Sequence, residues 1–295
     1  MNTAEKRAFK KELMALTIPF ALQNLLNALV SATDALMLGR LTQEAIAAVS
    51  LANQISFIMS LFTGAIIGAV GVLASQYWGK RDYTNAKHLM SMAIRYVFCI
   101  TFIFFLAAFT MPDRLMSFYT PEPVLIEIGA GYLKIVSFSY FFSGISQCYL
   151  MMMKIGGRAK KSVWISAMTV IVDVIADFFL IYGFGRIPAL GANGSAYSTI
   201  AVEVIALAWC IAESYRKDHI HPDSKSMLFF SRTLETDMWK ITASMLASGL
   251  CWGLSITVHS FIMGHLGTDA TAASSVAGVA QQLIQCLTHG LSSGA

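Results

Sequence analysis

Long apolar runs, broken by short charged ones, recur along the whole chain. They lie near 13–38, 46–76, 89–111, 128–152, 162–184, 191–212, 241–264 and 271–295. Each is long enough for a membrane-crossing α-helix, which needs about 20 residues. Barrel strands are about 9–11 residues long and alternate apolar with polar side chains, which these runs do not. In lipid only helices and closed barrels satisfy their own backbone groups. The pattern therefore predicts an all-α polytopic membrane protein.

Charge strengthens that picture. Only 13% of the 295 residues are charged and 56% are hydrophobic, against about 25% charged in a soluble domain. With the N-terminus placed inside, alternate loops hold sixteen Lys and Arg on the inner side (residues 6–11, 80–87, 154–161 and 216–240). The outer loops hold three, Arg40, Arg114 and Arg186. This positive-inside bias supports the number and direction of the spans. Arg95 and Lys134 fall just inside span ends and are expected to snorkel to the interface. The first apolar run exceeds the roughly 7–15 residues of a signal-peptide core, so it reads as a span. Cys99, Cys148, Cys210, Cys251 and Cys286 stand singly in apolar runs, which indicates neither a disulfide framework nor a zinc site. Nothing suggests a nucleic-acid partner; the partner implied is the bilayer.

The chain also repeats itself. "LGRLTQEAIAAVSLA" (38–52) aligns without gaps to "MGHLGTDATAASSVA" (263–277), with seven identities in 15 positions. Helices one and two recur as helices seven and eight, and both copies begin on the same side, as in parallel transporter repeats. This divides the chain into a six-helix bundle over 1–215, a linker over 216–237 and the first two helices of a second bundle over 238–295. Because the second copy stops inside a helix, the chain is expected to be C-terminally truncated, with about twelve spans in the intact protein, and to transport nothing alone.

Ionisable residues inside spans are functional candidates, because charge is costly to bury in lipid. Four acids qualify: Asp34, Asp173, Asp177 and Glu203. Gln23, Asn27, Ser31 and Asp34 form one helical stripe, which suggests a wall facing a watery cavity. Asp173 and Asp177, four residues apart, share one face of the fifth helix. Their places within the spans put them with Asp34 in the middle or outer half of the bilayer. Carboxylates sharing a cavity titrate as a coupled set, and can exchange a proton or hold a cation such as Na⁺. Glu203, four residues after Thr199, either joins that cavity or pairs with a neighbouring helix. Gly64, Gly68, Gly71, Gly191 and Gly194 are expected to permit close helix packing. His259 aligns with Asp34 in the second copy and is a further cavity candidate.

These segments resemble a known family. "IPFALQNLLNALVSATDALMLGRLTQEAIAAVSLANQ", "ASQYWGKRD", "GRAKKSVW" and "DFFLIYGFGRIPALGANGSAYST" are similar, in order and spacing, to multidrug and toxic compound extrusion (MATE) transporters. The bacterial DNA-damage-inducible branch is the most similar. The resemblance implies one six-helix bundle facing a second, and export of cationic amphipathic drugs in exchange for H⁺ or Na⁺, without an organic cofactor. It implies a multi-pass protein of a bacterial inner membrane with a cytoplasmic N-terminus. By resemblance, Asp34 matches the first-helix acid, Asp177 the acid of the fifth-helix "N-x-x-x-D" pattern, and Thr199 the threonine closing a "GAAxAT"-like segment. Asp173 departs from that pattern, replacing its asparagine. The helix-seven glutamate of another branch is absent, and "GRAK" replaces a "GDTK"-like loop.

The reading that results is a secondary active multidrug exporter, not an enzyme. Asp34, Asp173, Asp177 and Thr199 would bind the coupling H⁺ or Na⁺, while Gln23, Asn27, Ser31, Glu203 and His259 line the cavity. One rival is a lipid-linked oligosaccharide flippase of the same superfamily, which needs cationic cavity residues for pyrophosphate. Another is an intramembrane aspartyl protease using Asp34 and Asp177. Its "GxGD" pattern is broken here by the arginine of "GFGR".

Overall fold

The computed structural model describes residues 3–183, 188–216, 222, 226 and 231–294, with side chains from Ile18 to Gln281 except 19–21 and 27. No β-strand occurs among the described residues. The apolar runs are helices α1 (Thr3–Leu41), α2 (Gln43–Gly79) and α3 (Tyr83–Thr110), then α5 (Pro123–Val136) with α6 (Ser139–Met153). Next come α7 (Ala159–Tyr182), α8 (Ala192–Ser214), α9 (Arg232–His265) and α10 (Thr268–Gly294). A short helix, α4 (Pro112–Tyr119), lies between α3 and α5. Its first-turn proline tolerates the missing N–H there.

Corners are set by local chemistry. The Thr42 hydroxyl accepts the Ala45 N–H at 3.0 Å and caps α2, while Asp82 accepts the Asn85 N–H at 3.1 Å and caps α3. Such caps satisfy donors that the first turn leaves free. The expected span 128–152 is two helices rather than one. Between them the Ser137 and Ser139 hydroxyls donate to the Lys134 and Val136 carbonyls, at 2.9 and 2.7 Å. Hydroxyl groups competing for helix carbonyls bend helices. A π-helical turn, Lys154–Arg158, with Gly157 at φ 74°, reverses the chain from α6 into α7.

The core falls into two apolar clusters. At the end bearing the α1–α2 and α7–α8 corners, Leu38, Leu51, Met116, Leu125, Leu133 and Ile181 pack together. At the opposite, Lys/Arg-rich end the centre is Ile66, Leu89, Met90, Val97, Met153 and Met238. We call these the far end and the basic end. Along α2, α6, α7 and α8 polar side chains are interspersed between the clusters, and there the site forms.

Helices α9 and α10 pack against α2, and α10 also lies along α1. At the far end Gln43 Nε2 donates to Asp269 Oδ1 at 2.7 Å. Glu122, just before α5, accepts the Thr268 N–H at 3.1 Å and the Thr268 hydroxyl. At the basic end Arg95 Nη2 pairs with Glu235 Oε1 of α9 at 3.1 Å. The Arg95 charge is thus met by a first-turn carboxylate of α9, at the end of the bundle towards which it is expected to snorkel. Lys134 lies over the Phe109 ring at 5.4 Å. Of the linker placed at 216–237, residues 217–221, 223–225 and 227–230 lie outside the described residues, and its final stretch, from Arg232, is already helix α9.

Candidate functional site

Three helices bring the acids together. The Tyr182 hydroxyl donates to the Met37 carbonyl at 2.8 Å, pinning the end of α7 to α1 close to Asp34. Asp173 and Asp177 face α1 and α8 from successive turns of α7, and both are buried, Asp177 to 1% exposure. A carboxylate oxygen from each of Asp34, Asp173 and Asp177 lies within 4.8 Å of the others. Two carboxyl groups this close hydrogen-bond to each other only when one of them carries a proton. The Ser198 hydroxyl of α8 lies 3.3 Å from Asp173 Oδ1. One oxygen of Asp34 and one of Asp177 have no protein donor. Buried acceptors without donors are costly, and three carboxyl groups so placed can chemically accept a proton or a cation.

The cluster borders a cavity of about 360 Å³ between the two apolar clusters. From α1 it receives Gln23, Val30 and Asp34, and from α8 Thr199 and Glu203. Gln23 is buried and its Nε2 donates to the Ser166 hydroxyl of α7 at 3.0 Å. The Thr199 hydroxyl faces the same space but donates to the Ser195 carbonyl at 3.0 Å. Glu203 joins the cavity and also meets a neighbouring helix, accepting the Ser146 hydroxyl of α6 at 3.3 Å. Both readings of Glu203 therefore hold at once.

Two sequence candidates, Ser31 and His259, stand apart, and a third is not placed. Ser31 is half-buried on α1 and outside the lining, because Val30, not Ser31, continues the face of Gln23 and Asp34. The Asn27 side chain lies outside the described residues. His259 does not reach the cavity. It is exposed on α9, and its Nε2 lies 3.1 Å from the Ser274 hydroxyl of α10. The second copy packs against the outside of the first bundle, so alignment with Asp34 does not bring His259 to the same place.

The structure also adds a polar wall that sequence reasoning missed: Asn53, Ser56 and Ser60 of α2, with Ser139, Ser143, Ser146 and Gln147 of α6. The Tyr132 hydroxyl donates to Asn53 Oδ1 at 3.2 Å and the Ser56 hydroxyl to the Tyr140 oxygen at 3.0 Å. Both sets recur at helical spacing, as the α1 stripe does. That spacing is the available signal, but neutral polar side chains also serve helix packing in membranes and do not by themselves mark a cavity. No Lys or Arg is among the described lining residues.

The MatE family model matches residues 19–179. A probable multidrug resistance protein NorM from Agrobacterium fabrum is 23% identical over 274 residues, covering 90% of this chain and 58% of that protein. The uncharacterized transporter YisQ of Bacillus subtilis is 22% identical over 271 residues, covering 91% and 60%. The chain thus spans somewhat over half the length of these curated relatives. Among solved structures, an inward-facing multidrug resistance MATE family transporter of the MOP superfamily superposes with TM-score 0.79 at 16% identity, covering 96% of this chain and 64% of that one. An outward-facing one gives 0.74 at 16% identity, covering 95% and 68%. At such identity these likenesses concern the fold.

Proposed function

The chain belongs to the MatE family, and we propose that it forms the ion-coupling region of a secondary active exporter of cationic amphipathic compounds. The observation that carries this is the triad Asp34, Asp173 and Asp177, within 4.8 Å of one another beside a cavity with no basic residue among its described lining. A cavity so charged attracts cations and repels pyrophosphate, which disfavours the flippase rival. The NorM relatives carry the words multidrug resistance in their names, which supports the drug class.

The coupling ion in this reading is a proton shared by Asp34 and Asp177, with Asp173 held by Ser198. Na⁺ on the same three carboxylates is the second reading, favoured by their convergence. Protonation removes charge from the cluster and lets α1 repack. It shifts the equilibrium between inward- and outward-facing states only as far as the two states differ in proton affinity. A cationic drug then competes with the proton for the carboxylates. The basic end faces the cytoplasm of a bacterial cell, as the positive-inside rule requires.

The test is drug efflux from vesicles carrying the protein that holds this chain, driven separately by a pH gradient and by a Na⁺ gradient. Wild-type protein is expected to respond to the pH gradient, and Asp34→Asn to neither. Undiminished gradient-driven efflux by Asp34→Asn would remove the triad from the mechanism.

A further inference from the structure

A second cavity, of about 370 Å³, lies between α7 and α8 at the basic end, on their outer faces. Its walls are Trp164, Ile165 and Met168 of α7 and Trp209 of α8. Trp164 is 64% exposed and Trp209 40%. They continue stripes of exposed apolar residues, Ile171, Ile175 and Phe178 on α7 and Val204 and Ile205 on α8, that face away from the central cavity. In a membrane-spanning bundle such stripes meet acyl chains, so the groove opens to lipid. Tryptophan at such a depth marks the water–lipid interface.

The mouth of the groove is charged. Lys161, at the start of α7, and Arg216, just past α8, both pair with the buried Glu213 carboxylate, Arg216 at 3.2 Å. Two cations on one carboxylate leave a net positive charge at the rim, and both side chains keep substantial exposure. The groove then runs from Lys161 past Trp164 to Met168, about 10 Å at the helical rise. A basic mouth above a narrow apolar slot excludes a cationic drug and fits a molecule with one anionic head and an apolar tail. Basic pockets between helices on the cytoplasmic side suit anionic lipid heads.

We propose that this groove holds an anionic phospholipid, with an acyl chain between Trp164 and Trp209 and its phosphate on Lys161 and Arg216. The lipid backs Ile165, which also lines the central cavity, so its presence keeps that wall from yielding. The assignment is independent of the transport reading.

The groove's tryptophans provide the readout. A chain carrying Trp78→Phe, Trp239→Phe and Trp252→Phe keeps only Trp164 and Trp209. It is reconstituted into vesicles containing brominated phosphatidylglycerol or brominated phosphatidylcholine at equal mole fraction, and fluorescence quenching is compared. One net positive charge near the surface gives about a fivefold preference for the anionic lipid. Arg216→Gln, at an exposed position, removes that net charge and should abolish the preference, and Lys161→Gln with Arg216→Gln, which leaves the Glu213 carboxylate alone, should turn it towards phosphatidylcholine. Adding inorganic phosphate should leave it intact, because phosphate has no tail for the groove. Equal quenching by both lipids, a preference that survives the double substitution, or displacement by inorganic phosphate would each overturn the proposal.

Discussion

At the scale of single residues, Asp34, Asp173 and Asp177 repel one another in a buried place. Like charges gathered in one place are destabilising, and neutralising one member relieves that. Asp34→Asn is therefore expected to keep or raise the melting temperature of the purified protein while abolishing efflux. A fall in melting temperature, read by thermal shift, would mark the acids as structural instead. The glycines divide in the same concrete way. At Gly194 a Cβ would sit 2.6 Å from the Leu180 carbonyl carbon and 2.9 Å from the Ile181 nitrogen. Backbone cannot move aside as a side-chain tip can, so Gly194→Ala should cost about 3 kcal/mol in denaturant unfolding. At Gly64 nothing lies within 4 Å of that position, and Gly64→Ala should stabilise the helix by about 0.5–1 kcal/mol. The sequence grouped these glycines together because spacing alone does not say what faces each one.

At the scale of elements, the repeated turn is built two ways. In the first copy Thr42 caps α2 with its own hydroxyl. The aligned residue in the second copy is Gly267, with φ 103° and no side chain to cap with. The cap of α10 comes instead from Glu122, which lies far from both copies along the chain and is brought in by the α4–α5 turn. Glu122→Ala should cost about 1 kcal/mol, as for loss of an N-cap. Hydrogen exchange at the Thr268–Thr271 amides should accelerate while the first turn of α2 is unchanged. Unaltered exchange there would assign the cap elsewhere. The helices were legible from apolar run lengths. The break between α5 and α6 was not, since serines making the same backbone bonds as Ser137 and Ser139 also lie inside unbroken helices, as Ser60 and Ser75 do in α2.

At the scale of the whole molecule, α9 and α10 are tied to the first bundle at both ends, by Gln43–Asp269 at the far end and Arg95–Glu235 at the basic end. An exporter that opens alternately to the two sides must break the contacts at one end in each state. Cysteines at positions 43 and 269, joined by a short bismaleimide, should therefore stop efflux, while either single cysteine treated alike should not. Continued efflux from the linked protein would show that the far-end contact does not open during transport.

The sequence alone determined the helical spans and the internal repeat, and singled out Asp34, Asp173 and Asp177. Apolar run length, self-similarity and misplaced charge are properties of the chain read in order. Only the tertiary structure decided which side chains share a space. It joined Asp34 to Asp177 across 143 positions of chain, added the α2 and α6 hydroxyls to the cavity, and set Ser31 and His259 outside it. Side-chain direction across helices depends on rotation and packing, which spacing along one helix does not encode.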